Sequence, residues 1–280
     1  MRITVIGGMN MDLLGLPEGT LLPRDSNPGR VLMRPGGVGR NIASRLRTLG
    51  AEVSLLTALG SDERADFLEN CCRAEGIDLS MSLRTELPCP TYLCIHDEKG
   101  DMAAAISDMA AIDSLTPAAI ADKMDSVNRA SACVVDANLP ADTLEAVAKG
   151  VYVPLIADPV STVKAQRLRG ILPHLAAIKP NQMEAAALTG ENRVDKAAEA
   201  LLRAGVRSVF ISLGPEGVYY AGKGEKGVMP AKRLPPVPLT GAGDALCAGL
   251  ALAIAQGKSP RECARFGCQA AYDALLSARG

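Results

Sequence analysis

Short apolar runs that alternate with helical patterns constrain the fold of this chain most. The runs are "RITVIGG", "EVSLLTALG", "ACVVDANLP", "VPLIADPVS", "AAIKPN" and "RSVFISLG", and patterns such as "DTLEAVAKG" and "RVDKAAEALLRAG" lie between them. Strands that are joined through helices run parallel, and the helices then cover both faces of the sheet. The sequence therefore predicts an α/β protein with a three-layer, doubly wound, mostly parallel sheet. Ligands of such sheets bind at the carboxyl ends of the strands.

Two segments lack a helical period and interrupt this alternation. Residues 13–35 and 88–107 contain short alternating runs and turn signals such as "EKGD". We interpret both as β-hairpin-like excursions from the sheet that together form a lid. Neither could build a core alone, so we predict a single domain over residues 1–280 with the lid inserted in it.

Composition excludes several classes of function. The net charge is −1 without a basic run, and aromatic residues make up 3% of the chain, so neither nucleic acid nor a membrane surface is an expected partner. The apolar runs fall short of the roughly 20 residues of a membrane span. The eight cysteines show no CxxC or Cys/His zinc spacing. We therefore predict a cytoplasmic protein without disulfides.

Helix-capping residues predict where several helices begin and end. Gly50 is expected to end the helix of "RNIASRLRTLG", and Ser61 is expected to cap the next helix. In "SPRE", Ser259 and Glu262 form the pattern of a capping box with proline at the first helical position.

The stretch "TGAGD" stands directly before an apolar helix. Gly241, Ala242 and Gly243 carry almost no side chain, so their N–H groups can converge on an anion at the positive end of the helix. Asp244 would then be a base beside that anion, as phosphoryl transfer to a hydroxyl requires. Alternatively, the stretch is a glycine-rich turn in which Asp244 only compensates the helix dipole.

A second glycine cluster, "RPGGVGRNIA", also opens a helix. Gly36 and Gly37 permit close backbone approach, and Asn41 lies in the first turn, so the cluster is either a ligand contact or a tight turn. It lacks GxGxxG and comes some twenty residues after the first strand, which argues against a dinucleotide-binding oxidoreductase. Neither His96 nor His174 has a plausible triad partner, so a hydrolase is also unsupported.

Two further motifs place polar side chains near strand ends. Asn10 and Asp12 of "GGMNMD" are two apart and share a face in extended chain, which suits sugar hydroxyls, although a loop aspartate is often a turn residue. Asn181 and Glu184 of "IKPNQMEAAAL" share a face of a starting helix. They are either an N-cap with its capping-box acid or a site that organises Mg²⁺ waters beside nucleotide phosphates.

Six motifs together resemble one family, the ribokinase-like or PfkB carbohydrate kinases. They are "GGMNMD", "PGGVGRNIA", "ADPV", "KPNQME", "SLGPEGV" and "TGAGDA", in the order in which that family has them. The resemblance implies a parallel α/β sheet with a small β lid over a small-molecule sugar, and it implies ATP and Mg²⁺ as cofactors. It also implies that Asp244 takes the proton from the primary hydroxyl of the sugar.

The resemblance assigns roles to the remaining motif residues. Gly241, Ala242 and Gly243 would form the anion hole. The sugar would be held by Asn10, Asp12, Gly36, Gly37, Asn41 and Asn138. The nucleotide and its Mg²⁺ would be met by Asn181, Glu184, Ser212 and Gly214. Pro238 stands where many relatives carry an acid or amide near a monovalent-cation site, which leaves dependence on K⁺ open.

A narrower resemblance is to pseudouridine kinases, through "DSNPGRVLMRPGGVGRNIA", "AAISDM", "VVDANLP" and "DPVSTVKAQRLRGILPHLAAIKPN". It implies an ATP-dependent kinase for the 5′-hydroxyl of pseudouridine, in which Ser26 and Asn27 read the uracil edge and Asp108 is a lid contact. An amide such as Asn27 offers both a donor and an acceptor. Alternatively, "DSNPG" is a plain turn.

The same motifs leave room for a kinase that acts on another nucleoside or on a sugar such as ribose, and for a non-catalytic regulator that binds a nucleotide or sugar. A homodimer through the lid is a further hypothesis, because a small exposed sheet has edges to cover.

Overall fold

The computed structural model describes residues 1–232 and 241–277, and within them eight strands form a central sheet. In spatial order these strands are β14 (Glu225–Met229), β13 (Val218–Gly222), β12 (Ser208–Ser212), β11 (Ala177–Ile178), β10 (Leu155–Asp158), β9 (Ala132–Asp136), β1 (Arg2–Ile6) and β4 (Glu52–Leu56). The six strands from β12 to β4 are parallel, and β13 and β14 form an antiparallel hairpin at one edge. The predicted mostly parallel sheet is confirmed, whereas the edge hairpin was not predicted.

Helices cover both faces of this sheet, which gives the three predicted layers. One face packs against α1 (Val38–Thr48), α2 (Glu63–Ala74), α9 (Ala242–Ala255) and α10 (Pro260–Ser277). The other face packs against α3 (Pro117–Ala121), α4 (Met124–Val127), α5 (Ala141–Gly150), α6 (Thr162–Ala165), α7 (Gln182–Thr189) and α8 (Val194–Arg203). Short 3₁₀ helices span Ala110–Ser114, Gln166–His174 and Gly214–Glu216. Two apolar cores, one on each side of the sheet, therefore hold the strand ends in place.

A second sheet of four strands unites the two irregular segments. Its order is β3 (Gly29–Gly36), β2 (Asn10–Pro17), β7 (Thr91–His96) and β8 (Met102–Asp108). Both predicted hairpin-like segments are thus strands of one sheet, which we call the small sheet. It begins earlier than predicted, because Asn10 and Asp12 belong to β2 and do not lie in a loop after β1. Strands β5 (Ala58–Leu59) and β6 (Leu83–Arg84) pair separately.

Helix ends follow the capping prediction with one exception. Gly50 follows α1 with a φ of 84°, and Ser259 and Glu262 exchange the two hydrogen bonds of a capping box at α10. At α2, however, the cap is Asp62, whose carboxylate accepts from the N–H of Ala65. The Ser61 hydroxyl donates to the carbonyl of Glu86 instead, so the prediction of Ser61 as N-cap was wrong by one residue.

All eight cysteines have free thiols. Across the described ranges, no helix is both long enough and apolar enough to traverse a bilayer.

Candidate active site

The candidate site lies where β1, β9 and β10 end and α9 begins. Gly241 is the N-cap of α9 with a φ of 80°, a left-handed conformation that glycine adopts without strain. Ala242 and Gly243 open the helix, and Asp244 lies in its first turn. The structure therefore places the four residues at the positive end of a 14-residue helix, as an anion site requires.

Asn41 connects this helix end to the second glycine cluster. Its Nδ2 donates to Oδ2 of Asp244 over 3.0 Å. The approach of α1 depends on Gly37, which has a φ of 94° and whose missing Cβ would lie 2.5 Å from the carbonyl oxygen of Gly8. Because a side chain there would push α1 away from β1, the glycine is what allows Asn41 to reach Asp244.

The pKa of Asp244 lies well above the usual value of an aspartate side chain. Burial raises its pKa to about 7, the Asp158 carboxylate adds to this effect, and Lys179 and the hydrogen bond from Asn41 oppose it. A carboxyl group with such a pKa can hold or release a proton near neutral pH, as general-base catalysis favours.

A buried ion pair lies beneath the glycines. Lys179 Nζ is 3.0 Å from Oδ2 of Asp158, and both side chains are at most 8% exposed. A Cβ on Gly243 would come 3.4 Å from the same Nζ, so the ammonium lies next to the anion site. Burial by itself would lower the pKa of Lys179, but the charge and hydrogen bond of Asp158, together with Cys247 and Asp244, outweigh burial and raise it, so the lysine stays cationic. Sequence reasoning missed Lys179, although a lysine inside the apolar run "AAIKPN" is unusual and signals a buried partner.

The predicted sugar side is built around Asp12. Asn10 donates from Nδ2 to Asp12 Oδ1 over 2.6 Å, so the two side chains share a face of β2 as predicted. Gly36 is paired with Asn10 across the strands, and a Cβ on Gly36 would lie 2.3 Å from Asp12 Oδ2. Burial raises the pKa of Asp12, and Asn10 and Arg40 counteract that effect. The structure thus brings Asn10, Asp12 and Gly36 together.

Asp136 binds the backbone of two loops that border the candidate site. Its carboxylate accepts from the N–H groups of Gly8 and Asn138, each over 2.9 Å, and burial raises its pKa to about 6. Asn138 in turn accepts through Oδ1 from Lys164 Nζ over 2.6 Å. Since lysine only donates, this bond directs the Nδ2 end of Asn138 away from Lys164, and the Asn138 side chain also hydrogen-bonds the Asp136 carboxylate. Lys164 was also not identified from the sequence.

On the predicted nucleotide side, Asn181 and Glu184 form a complete capping box at α7. Ser212 pairs with Asn181 in an isolated parallel β-bridge, and Gly214 follows with a φ of 61°. Glu184 Oε2 is occupied by the N–H of Asn181, which leaves one carboxylate oxygen. Mg²⁺ keeps several waters and binds through one or two carboxylates and nucleotide phosphates, so Glu184 fits that ion. Among the described residues, no three acidic, histidine or cysteine side chains form a metal-binding group of their own.

The residues predicted to read the base lie in the small sheet and its loop. Ser26 is exposed, and the Asn27 amide bonds to the backbone of Leu22 at both its oxygen and its nitrogen. Asp108 ends β8, where its carboxylate accepts from Ala110 N–H over 3.3 Å. Within residues 1–232 and 241–277, no hydrogen bond joins any of the three to Asp244. Pro238 and Thr240 lie outside the described residues, so the K⁺ hypothesis stays a prediction.

Comparison with known proteins defines the class of protein. The family model described as "pfkB family carbohydrate kinase" matches residues 1–277. The chain therefore belongs to the pfkB family of carbohydrate kinases, and it is a phosphotransferase that acts on an alcohol group.

One relative of known activity and two solved structures are similar to the chain over nearly its whole length. The chain is 34% identical to pseudouridine kinase of Escherichia coli (strain K12), over 95% of this chain and 88% of that one. The crystal structure of ribokinase from Thermotoga maritima is similar with a TM-score of 0.87 and 28% identity, over 97% of this chain and 91% of that one. The Arabidopsis thaliana ribokinase complexed with ribose and ATP has a TM-score of 0.85, 23% identity and coverage of 96% and 91%, and it shares the fold.

Proposed function

We propose that this protein transfers the γ-phosphoryl group of ATP to the 5′-hydroxyl of pseudouridine, and that Asp244 is the general base. The observation that carries the proposal is the position of Asp244 in the first turn of α9, with a pKa near 7 and a hydrogen bond from Asn41. Pseudouridine is chosen because a curated relative of that activity is similar over nearly the whole chain.

In this mechanism the substrate hydroxyl lies against Asp244 and gives its proton to the carboxylate as the O5′ oxygen attacks phosphorus. The bond from the γ-phosphorus to the β,γ-bridging oxygen breaks, and ADP leaves. The backbone N–H groups of Gly241, Ala242 and Gly243 stabilise the negative charge on the phosphoryl oxygens, and Lys179 adds a fixed positive charge beneath them. Such preorganised donors need not reorient during the reaction.

The nucleotide is assigned to the side of Asn181, Ser212 and Gly214, and one similar ribokinase structure holds ATP. Glu184 would hold Mg²⁺ through its remaining carboxylate oxygen and ordered waters. When bound, Mg²⁺ neutralises charge on the phosphate oxygens. Asn181 stays oriented by the capping box throughout, so the two residues meet the nucleotide from a rigid helix end.

The ribosyl group is assigned to Asn10, Asp12, Gly36, Gly37, Asn41 and Asn138. The carboxylate of Asp12 accepts hydroxyl protons, and Asn138 donates from Nδ2. The small sheet would act as a lid that excludes water, so that ATP meets the nucleoside and not solvent. Ser26, Asn27 and Asp108 would contact the base once the lid is closed, which requires the Asn27 amide to leave its bonds to Leu22.

The hydrogen bonds between the Asn27 amide and the Leu22 backbone also favour a second candidate function, a kinase for another nucleoside or sugar. If the Asn27 amide stays in its turn, the loop has no free amide for the base, and Asp12 and Asn41 would recognise the sugar alone. A binding regulator without catalysis has no need of a base with a pKa near 7.

The test is ADP release by purified protein with ATP and Mg²⁺, with pseudouridine, uridine, ribose and fructose offered in parallel. We expect kcat/KM for pseudouridine to exceed that for the other three by at least tenfold. Faster turnover of another compound would retain Asp244 as the base and reject the base-reading role of Asn27. Inactivity with all four would contradict the proposed function.

We also propose that the protein forms a homodimer through the small sheet. Cross-strand pairing puts Met33, Leu13, Leu93 and Ile106 on one face, with Val31 beside Met33. Val31, Met33 and Ile106 are 62–72% exposed, which is unusual for large apolar side chains on one face. Light scattering should show a dimer that Ile106→Lys converts to a monomer, whereas Tyr152→Lys, on an exposed residue elsewhere, should leave the dimer intact. A wild-type monomer would contradict this proposal.

A further inference from the structure

Arg40 lies directly before Asn41 in α1, and the proposed mechanism gives it no role. Its side chain is only 11% exposed, which is uncommon for an arginine. One terminal nitrogen, Nη2, forms an ion pair with Oε1 of Glu75, the residue that ends α2. The other, Nη1, donates to Oδ1 of Asn41 over 3.4 Å. The guanidinium therefore links α2 to a residue of the candidate site.

This contact bears on which way the Asn41 amide points. The amide has an accepting oxygen and a donating nitrogen, and guanidinium groups only donate. With Oδ1 bound to Arg40, Nδ2 is directed to Asp244, where the 3.0 Å hydrogen bond is found. The chain of contacts runs from Glu75 through Arg40 and Asn41 to Asp244.

The fixed orientation matters when Asp244 changes its protonation state. An ionised carboxylate only accepts hydrogen bonds and would by itself select the Nδ2 end of Asn41. A carboxyl group that has just taken a proton can also donate, so it tolerates either end of the amide. A substrate hydroxyl likewise donates and accepts. Arg40 is the contact of Asn41 that demands the same end of the amide in both states.

Glu75 and the backbone hold Arg40 itself in place. The Arg40 N–H donates to the carbonyl of Gly8 over 3.1 Å. Within the described part of the chain, Arg40 Nε and Glu75 Oε2 are buried without a hydrogen-bond partner.

We propose that Arg40, anchored by Glu75, is a positioning residue that fixes the Asn41 amide with Nδ2 directed to Asp244. The proposal rests on the proposed function, in which Asp244 is the base and Asn41 borders the acceptor hydroxyl. In this proposal Arg40 acts on Asp244 through Asn41.

A double-mutant cycle tests this coupling. Arg40→Met should lower kcat/KM for the nucleoside by about tenfold, the size of one hydrogen bond to a charged group, and leave the KM for ATP unchanged. Once Asn41→Ala is present, adding Arg40→Met should cost less than twofold, because the residue through which Arg40 acts is gone. Two losses that simply multiply would overturn the proposal.

Arg47→Met is the matched control, because it removes a neighbouring arginine of α1 that binds Glu75 and Ala51 through their carbonyls. It should lower the melting temperature without changing kcat/KM. If it lowers kcat/KM as much as Arg40→Met does, the effect is one of general packing and the proposal fails.

A crystal structure of Arg40→Met gives a readout that does not depend on activity. We expect the Asn41 side chain to turn away from Asp244 or to occupy two conformers. Retention of a single conformer with its amide 3.0 Å from Asp244 would overturn the proposal, even if the wild type phosphorylates pseudouridine. Conversely, a wild type without kinase activity contradicts the proposed function and leaves this structural outcome to be decided separately.

Discussion

Asn41 donates a 3.0 Å hydrogen bond to Asp244, a residue 203 positions further along the chain. The bond joins the first turns of α1 and α9, two helices that each begin after a glycine with a positive φ. Each of these glycine clusters could be a plain turn on its own. Their meeting at one carboxylate is what makes them parts of one site.

The first prediction concerns pH. Asp244 must be ionised to accept a proton, and burial raises its pKa to about 7. The kcat/KM for the nucleoside should therefore fall about tenfold for each pH unit below about 7, with saturating ATP and Mg²⁺. With ATP saturating, the pH profile of kcat/KM for the nucleoside reports groups of the enzyme–ATP complex, so this measurement addresses Asp244 before the nucleoside binds. A profile that is flat from pH ~5 to ~8 would contradict the assignment of Asp244 as base.

The same raised pKa predicts an effect on stability. The folded protein holds the Asp244 proton more tightly than the unfolded chain, where aspartate titrates near ~3.9. This contribution to stability is fully present below pH ~4 and is lost as pH rises through about 7. Asp244→Asn removes the buried charge, so its melting temperature should exceed that of the wild type by about 2 °C or more at pH ~8. The difference should shrink towards pH ~4. A variant that is less stable than the wild type at the higher pH would contradict this reasoning.

A third prediction separates the two possible roles of Glu184. Glutamine can replace glutamate in a capping box, so Glu184→Gln should keep the stability of α7 and lose the charge that suits Mg²⁺. The Mg²⁺ concentration for half-maximal activity should rise roughly 10- to 100-fold. Glu262→Gln makes the same change in the capping box of α10 and is the matched control, which should leave the Mg²⁺ requirement unaltered. If both variants need the same Mg²⁺ concentration for half-maximal activity, Glu184 is only a helix cap.

A fourth prediction tests the sugar side through a glycine. A Cβ on Gly36 would lie 2.3 Å from Asp12 Oδ2, so Gly36→Ala must displace the carboxylate. We expect kcat/KM for the nucleoside to fall roughly 10- to 100-fold, mainly through KM, because a displaced Asp12 carboxylate can no longer accept its charge-assisted hydrogen bonds from the sugar hydroxyls. Gly19→Ala is the control, since its Cβ would meet nothing within 4 Å. Equal kinetics of Gly36→Ala and the wild type would mean that Asp12 does not hold the sugar.

Most of the central sheet could be predicted because its signals are local. Each of the runs that form β1, β4, β9, β10 and β12 is apolar over a few residues, and the helices between them exclude antiparallel pairing. The edge hairpin β13–β14 escaped prediction because its second strand is largely exposed and has no continuous apolar run. The N-cap of α2 was predicted one residue too early, because Ser61 and Asp62 are both favourable N-cap residues. In the structure the Ser61 hydroxyl bonds to the carbonyl of Glu86, and Asp62 is the N-cap.

The sequence motifs identified the candidate site residues, but they did not predict the contacts between those residues and their neighbours. Local sequence places Asp244 at the start of a helix, yet the pairing of Lys179 with Asp158 depends on the order of β10 and β11 in the sheet. The same holds for Lys164 and Asn138, which lie 26 residues apart. Conversely, every residue of the motif "DSNPG" is a common turn residue, and the Asn27 side chain is held by hydrogen bonds to the backbone of its own loop.

Single-turnover phosphorylation by Asp244→Asn decides whether Asp244 is the base. The variant would be mixed with ATP, Mg²⁺ and pseudouridine, while calorimetry measures the affinity for each ligand. We expect a rate at least about 100-fold below that of the wild type, within the range that general-base catalysis contributes, with both affinities changed less than threefold. A variant that binds both ligands and transfers the phosphoryl group at the wild-type rate would show that Asp244 is not the base.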